Sequence, residues 1–156
     1  MDRILLWCLL IIGIGLFLFS LRKPLLLKDT ILIFLMKAYF SSFIGVIVVK
    51  EEMVEYPVRF LSKYFDASIL FEYFLYPIMC IYLYQTTVHS RFLGIVLQCA
   101  LYTAALTTIE VICEKYTDLV EYHSWTWMHS FITIFLLSLS VRLLLQLINK
   151  IEMSKV

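Results

Sequence analysis

The run FLGIVLQCALYTAALTTIEVICEKYTDLVEYHSWTWMHSFITIFLLSLSVRLLLQLI (92–148) decides what kind of chain this is. Two apolar stretches of about twenty residues flank a short acidic loop, and such a stretch in helix spans the ~30 Å hydrocarbon core of a bilayer. Within the first stretch Cys99, Thr103, Thr107, Glu110 and Glu114 recur at i, i+4, i+8, i+11 and i+15, which puts them on one helix face. A polar stripe on a membrane helix turns toward the bundle interior rather than toward lipid. Glu110 closes that stripe. The loop after it, with Tyr122, Trp125, Trp127, His129 and Ser130, therefore falls at a membrane boundary close to an intramembrane carboxylate.

The rest of the chain repeats the pattern. Apolar runs at 4–21, 30–49 and 69–84 join those at 92–113 and 126–148, making five spans in one transmembrane domain over 1–156. A mean hydropathy of +0.90, with 62% hydrophobic and only 16% charged residues, excludes an ordinary soluble domain. The net charge of +1 leaves no basic footprint for nucleic acid. The first run is expected to be a retained span rather than a cleaved signal, because Arg22 and Lys23 follow it directly and no small-x-small site does. RKPLLLKD (22–29) reads as a basic turn, with Pro24 suited to opening the next helix.

The segment 51–66 carries Glu51, Glu55, Arg59, Ser62, Lys63 and Asp66 at helical spacing, with Met53, Val54, Val58, Leu61 and Phe65 on the other side. That pattern predicts an amphipathic helix lying in the interface. The expected fold is thus all-α: an integral membrane bundle of about five transmembrane helices plus one interfacial helix. Pro77 within span three predicts a kink. Gly13 and Gly15 in span one, and Ser130, Thr133 and Ser140 in span five, are small residues suited to close helix approach.

Charges inside the spans are few. Lys37 lies about 10 Å from the nearer end of its helix, so it either snorkels to the headgroups or meets an internal partner, with Ser41 and Gly45 following on the same face. Arg142 lies close enough to its helix end to snorkel. Lysine and arginine sorted by side give Arg22, Lys23, Lys28, Arg91, Arg142, Lys150 and Lys155 against Arg3, Lys50, Arg59, Lys63 and Lys115. The excess predicts an outside N-terminus and an inside C-terminus in the cytoplasmic membrane.

The candidate polar pocket from these readings comprises Glu72, Thr103, Thr107, Glu110, Tyr122, Trp125, His129 and Ser130, with Lys37 as a further intramembrane charge. Glu72 and Glu110 are candidates for a proton-titrating or cation-binding pair; the alternative is two structural glutamates, each hydrogen-bonded locally. Catalytic signatures are missing: there is no HExxH, CxxC, EF-hand loop, P-loop or GxSxG. No cofactor, no metal and no enzyme activity are expected. Cys8, Cys80, Cys99 and Cys113 read as small apolar helix residues.

Residues 71–142 carry an aromatic-rich third span with Pro77, Glu110 closing the fourth, a short loop to Tyr122-x-x-Trp125, and Ser130 opening the last. In these features the chain resembles a family of small multi-span membrane proteins from endospore-forming Bacillota, although it reads Trp-Thr-Trp where a single tryptophan is more usual. The resemblance implies about five membrane helices and brings no activity with it. The leading expectation is an accessory protein acting through the lipid bilayer on a membrane-protein partner or a second copy of itself. The alternative is a small proton- or cation-linked permease or sensor using Glu110 and Glu72.

Overall fold

A computed structural model describes residues 1–23 and 27–154. Pro24 and Lys155, which entered the expectations above, lie outside the described residues. Helix α1 is Asp2–Ser20, α2 is Leu27–Lys50, α4 is Phe92–Tyr116 and α5 is Trp127–Met153. Helix α3 is one helical run over 69–87 that contains a π-helical turn, Phe71–Leu75, followed by regular helix over Tyr76–Thr87. Helices α1, α2, α4 and α5 are long and apolar enough to cross a membrane. The fold is an all-α bundle, and the chain is a multi-span membrane protein.

The elements differ in what they bury. Helix α3 is buried nearly all round, with Tyr76 through Ile81, Leu83, Tyr84 and Thr87 all enclosed. It is the post about which α2, α4 and α5 pack. Helix α1 buries only Leu6, Gly13 and Ser20, a single seam repeating every seven residues. A β-carbon on Gly13 would lie 2.6 Å from the Phe74 ring, so the small residue lets α1 close onto α3. The outward faces carry Ile11, Leu35, Phe43, Leu97, Leu101 and Leu136, large apolar side chains left exposed for lipid to cover.

Pro77 acts through the π turn. It has no N–H to offer the preceding turn, and the ladder widens there, with the Tyr76 N–H donating to the Phe71 carbonyl five residues back. The expected kink is therefore an inserted wide turn, and Glu72 sits in it.

The interfacial helix expected over 51–66 is not formed. Helix α2 ends in a Schellman pattern: the Met53 N–H donates to Val48 O at 3.1 Å and the Glu52 N–H to Val49 O at 3.0 Å. Glu52 itself adopts φ 56°, the left-handed turn that stops the helix. The chain then enters a two-residue strand, β1 (Val54–Glu55), paired antiparallel with β2 (Glu121–Tyr122). Pro57 denies a donor to any helix there, and the Val58 N–H goes instead to Asp118 O. Arg59 staples the loop beyond β1, donating from Nε to Phe65 O at 2.7 Å and from Nη1 to Tyr56 O at 2.6 Å. Of the apolar residues that suggested a lipid-facing side, Val54 is buried with Tyr56, Leu119 and Val120 in one core cluster and Val58 packs against it, while Leu61 and Phe65 are exposed.

The bundle thus has a ribbon end, with β1, β2 and the loops around them, and a tail end, with the turns at 21–22 and 88–89 and the close of α5. At the tail end Arg142 does not snorkel. It is buried, donates from Nε to Thr87 Oγ1 at 2.9 Å and from Nη2 to Thr87 O at 3.0 Å, and stacks over Tyr84. The Tyr84 hydroxyl and Asn149 Nδ2 both donate to Asp29. A cation beside the end of α3, where carbonyls are short of partners, is satisfied by the protein and has no need of the headgroups.

Candidate functional site

The polar stripe of α4 faces inward as its spacing demands: Cys99, Thr103, Thr107 and Glu110 are all buried. Glu110 is held from three other elements. Its Oε1 accepts from Tyr122 of β2 at 2.7 Å and from Ser130 of α5 at 2.8 Å, and its Oε2 accepts from Tyr76 of α3 at 3.1 Å. Trp125 extends the network, its indole Nε1 donating to Ser130 Oγ at 2.7 Å. Three hydroxyl donors converging on one acid is the arrangement that serves a carboxylate as acceptor. Glu110 is a fixed acceptor that ties α3, α4, α5 and the ribbon together.

Glu72 is placed differently. It is 6% exposed, on the π turn of α3, and pressed against α2 at Gly45, where an added β-carbon would lie 2.8 Å from its carboxyl carbon. Glycine is what makes room for this carboxyl. The phenol of Tyr56, just past β1, is its neighbouring donor, and both Glu110 and Lys37 lie within electrostatic reach. Glu72 and Glu110 line one cavity of about 40 Å³ of water-accessible space, together with Ser41, Tyr56, Tyr76, Trp125, Ser130 and Thr133. By the ~10–15 Å³ a single water requires, that is room for roughly three waters or one small ion with part of its shell.

Lys37 neither snorkels nor pairs directly. It is 0% exposed, and among the described residues its Nζ has no hydrogen-bond partner. Its electrostatic surroundings are Cys80, Glu72 and Cys99. The hydroxyls of Thr103, Thr107 and Ser138 are likewise buried without a partner among the described residues. Each such group in a native interior calls for a reason, such as a bound water or a functional role.

The ribbon supplies two phenols to the site. Burial pushes the Tyr56 hydroxyl well above its ordinary 10.0, with Glu72 and then Glu110 adding to it. Burial also raises Tyr122, again with Glu110 adding. An anion beside a phenol disfavours a second negative charge. Both tyrosines are therefore held as neutral donors.

Of the residues read as a pocket from sequence, Glu72, Glu110, Trp125 and Ser130 line the cavity, and Tyr122 closes it through its bond to Glu110. Thr103 and Thr107 share the buried face but stand outside the cavity lining. His129 is turned out: it is exposed, pairs through Nδ1 with Thr126 Oγ1 at 2.7 Å, and stacks beside Trp125 at 5.2 Å. One step along α5 from Ser130 is a rotation of about 100°, enough to carry it off the inner face. Tyr56 and Tyr76 were missed. Tyr76 sits one residue before Pro77 in an aromatic run, and Tyr56 lies in the segment misread as helix, so neither had a spacing to single it out.

Among the described residues no group of three or more His, Cys, Asp or Glu side chains is arranged to hold a metal ion. The four cysteines are free, and Cys80, Cys99 and Cys113 are buried. No family model, no curated protein and no solved structure matches this chain.

Proposed function

We propose that this protein is a small proton- or cation-linked membrane protein, of the permease or sensor class, with Glu72 as the titrating group. One observation carries the reading. A buried carboxylate lines a water-sized cavity beside a second, fully hydrogen-bonded carboxylate, in a bundle otherwise made for lipid. Buried ionisable groups in membrane spans are costly and mark ion pathways and proton relays. Glu110 has its donors; Glu72 has the cavity. We assign the protein to the cytoplasmic membrane with the ribbon end outside, on the excess of lysine and arginine toward the tail end. The family resemblance carries the same setting, a cell of the endospore-forming Bacillota.

The test is cation and proton uptake by purified protein in proteoliposomes, followed with a lumenal pH dye and with radiolabelled sodium, alongside cation-dependent tryptophan fluorescence in detergent. The wild type should respond in at least one assay and Glu72→Gln in none. A Glu72→Gln protein that folds and behaves like the wild type would overturn the reading. The accessory reading, with a membrane-protein partner or a second copy, would then take its place.

A further inference from the structure

We propose that the cation of the Glu72 site enters sideways from the bilayer, through a slit between α2 and α5, and that it is a single-chain lipophilic primary amine. The inference rests on the function proposed above and adds the ligand class and its route.

The cavity lining divides into a floor, a roof and two lips. The floor is buried: Ser41 and Gly45 of α2 and Ser130 and Ile134 of α5, with Glu72 and Glu110 between them. Val54 and Tyr56, also buried, roof it at the ribbon end, with Trp125 beside them. The lips are Ile44 and Val48 of α2 and Thr133 and Leu137 of α5, all half-buried. Each lip residue stands three positions beyond a floor residue of its own helix, a turn of about 60° away from the floor. Helix α2 ends at the ribbon and α5 begins there, so the two run antiparallel and these turns have opposite hand. Both pairs of lips therefore face the seam between the two helices.

The seam lies at membrane depth. Ser41 is nine residues before Lys50, and Leu137 is ten after Trp127. At about 1.5 Å per residue, the slit runs from the ribbon end about halfway through a ~30 Å hydrocarbon core. A molecule that passes the lips comes from among the acyl chains.

The floor selects a hydrogen-bond donor. Glu110 already accepts from Tyr76, Tyr122 and Ser130, so Glu72 is the acid that can receive a newcomer. Among the described residues no lysine, arginine or histidine lines the cavity, so a fatty carboxylate would meet two acids and no cation. A primary ammonium brings three N–H donors. Room for roughly three waters holds the last few heavy atoms of an alkylamine, and its chain passes out between Ile44, Val48 and Leu137. Phosphatidylethanolamine carries the same ammonium, but its phosphate would fall among those apolar lips.

The proton balance is simple. An uncharged amine dissolves in the bilayer and is a far stronger base than a carboxylate. Its nitrogen lone pair takes the proton of the Glu72 carboxyl: the O–H bond breaks, an N–H bond forms, and an alkylammonium is left on a carboxylate. The pair is neutral before and after, so the dry interior never holds an unpaired charge.

The test is photolabelling in phosphatidylcholine nanodiscs with a dodecylamine bearing a diazirine near its nitrogen, the labelled sites being read by mass spectrometry. Labelling should concentrate on 41–48 and 130–137, at least tenfold above the exposed face of α4 that carries Leu97 and Leu101. Unlabelled dodecylamine should displace it, and dodecanoate or phosphatidylethanolamine at equal mole fraction should not. Thr133→Phe narrows the slit and should lower labelling at least tenfold, whereas Ile132→Phe, on the exposed face beside it, should not. Labelling spread evenly over the lipid-facing helices overturns the inference. So does displacement by dodecanoate or phosphatidylethanolamine as effective as that by dodecylamine, or unchanged labelling of a folded Thr133→Phe. Should Thr133→Phe not fold, the wild-type labelling and competition decide. Even labelling, with proton and sodium responses still lost in Glu72→Gln, sinks the amine and its route alone. A Glu72→Gln that responds as the wild type does sinks the proposed function itself.

Discussion

Ser130 Oγ donates to Glu110 Oε1 at 2.8 Å and so joins the first buried turn of α5 to the end of α4, while it accepts the Trp125 indole N–H at 2.7 Å. The serine is the pivot of the network: without it a part-buried donor and a buried acceptor each lose a partner.

Ser130→Ala should therefore cost about 1–3 kcal/mol, the range for leaving buried polar groups short of a partner. Adding Trp125→Phe removes the orphaned N–H, so the double variant should lose less than the sum of the singles. Unfolding in mixed micelles, followed by circular dichroism, measures both.

Gly45→Ala should disturb the site more than the fold. The new β-carbon would meet the Glu72 carboxyl carbon at 2.8 Å and Oε1 at 2.9 Å. Displacing that side chain should cost roughly 1–3 kcal/mol and abolish cation or proton responses. Gly15→Ala is the control. Nothing lies within 4 Å of its added carbon, and the better helix former should stabilise by about 0.5–1 kcal/mol. Thermal unfolding and the uptake assay, run together on both variants, separate the two effects.

At the other end of the bundle, Thr87→Val takes away the acceptor that Arg142 Nε meets at 2.9 Å. A buried guanidinium left short of a partner should cost about 2–3 kcal/mol. Replacing the arginine too, as Thr87→Val with Arg142→Met, removes the charge along with its hydrogen bonds, and the double variant should be no less stable than Thr87→Val alone. A double-mutant cycle in unfolding free energy decides it.

The ribbon tyrosines predict alkaline lability. Both phenols are raised in the folded state, so the fold holds on to protons that the unfolded chain gives up. Their contribution is complete below pH about 10, the ordinary tyrosine value, and is lost as pH climbs from there through the raised values. Tyr122→Phe cannot ionise and should unfold at higher pH relative to its own neutral-pH stability. It should also be weaker at pH 7 by about 1–2 kcal/mol for the donor it no longer gives Glu110. Stability measured across pH 8–12 checks the slope.

Much of this was readable from the residues. Five apolar runs gave five helices, and the i, i+4, i+8, i+11 spacing from Cys99 to Glu110 correctly announced one buried face, because a helix turns through a fixed angle per residue. The error over 51–66 has the same root. Charges at helical spacing describe a helix only if the backbone donors are free to make one; Pro57 and the left-handed Glu52 close that option, and pairing with 121–122 offers another. Arg142 is read from sequence as able to snorkel, and Lys37 as either snorkelling or meeting an internal partner, because one helix alone shows only the distance to its end. It does not show the neighbouring helices that enclose the side chain.

Residue order and polarity were enough to establish a lipid-embedded helical bundle and to mark Glu72 and Glu110 as unusual, since hydrophobic length and periodicity are local properties. Packing alone determined that the two acids share one cavity, that Glu110 is caged by Tyr76, Tyr122 and Ser130 while Glu72 is pressed against Gly45, and that Lys37, within electrostatic reach of Glu72, is fully buried with no hydrogen-bond partner among the described residues. Those relations join residues from four helices and a ribbon across as many as 93 positions of chain, from Lys37 to Ser130. No periodicity within one segment carries them.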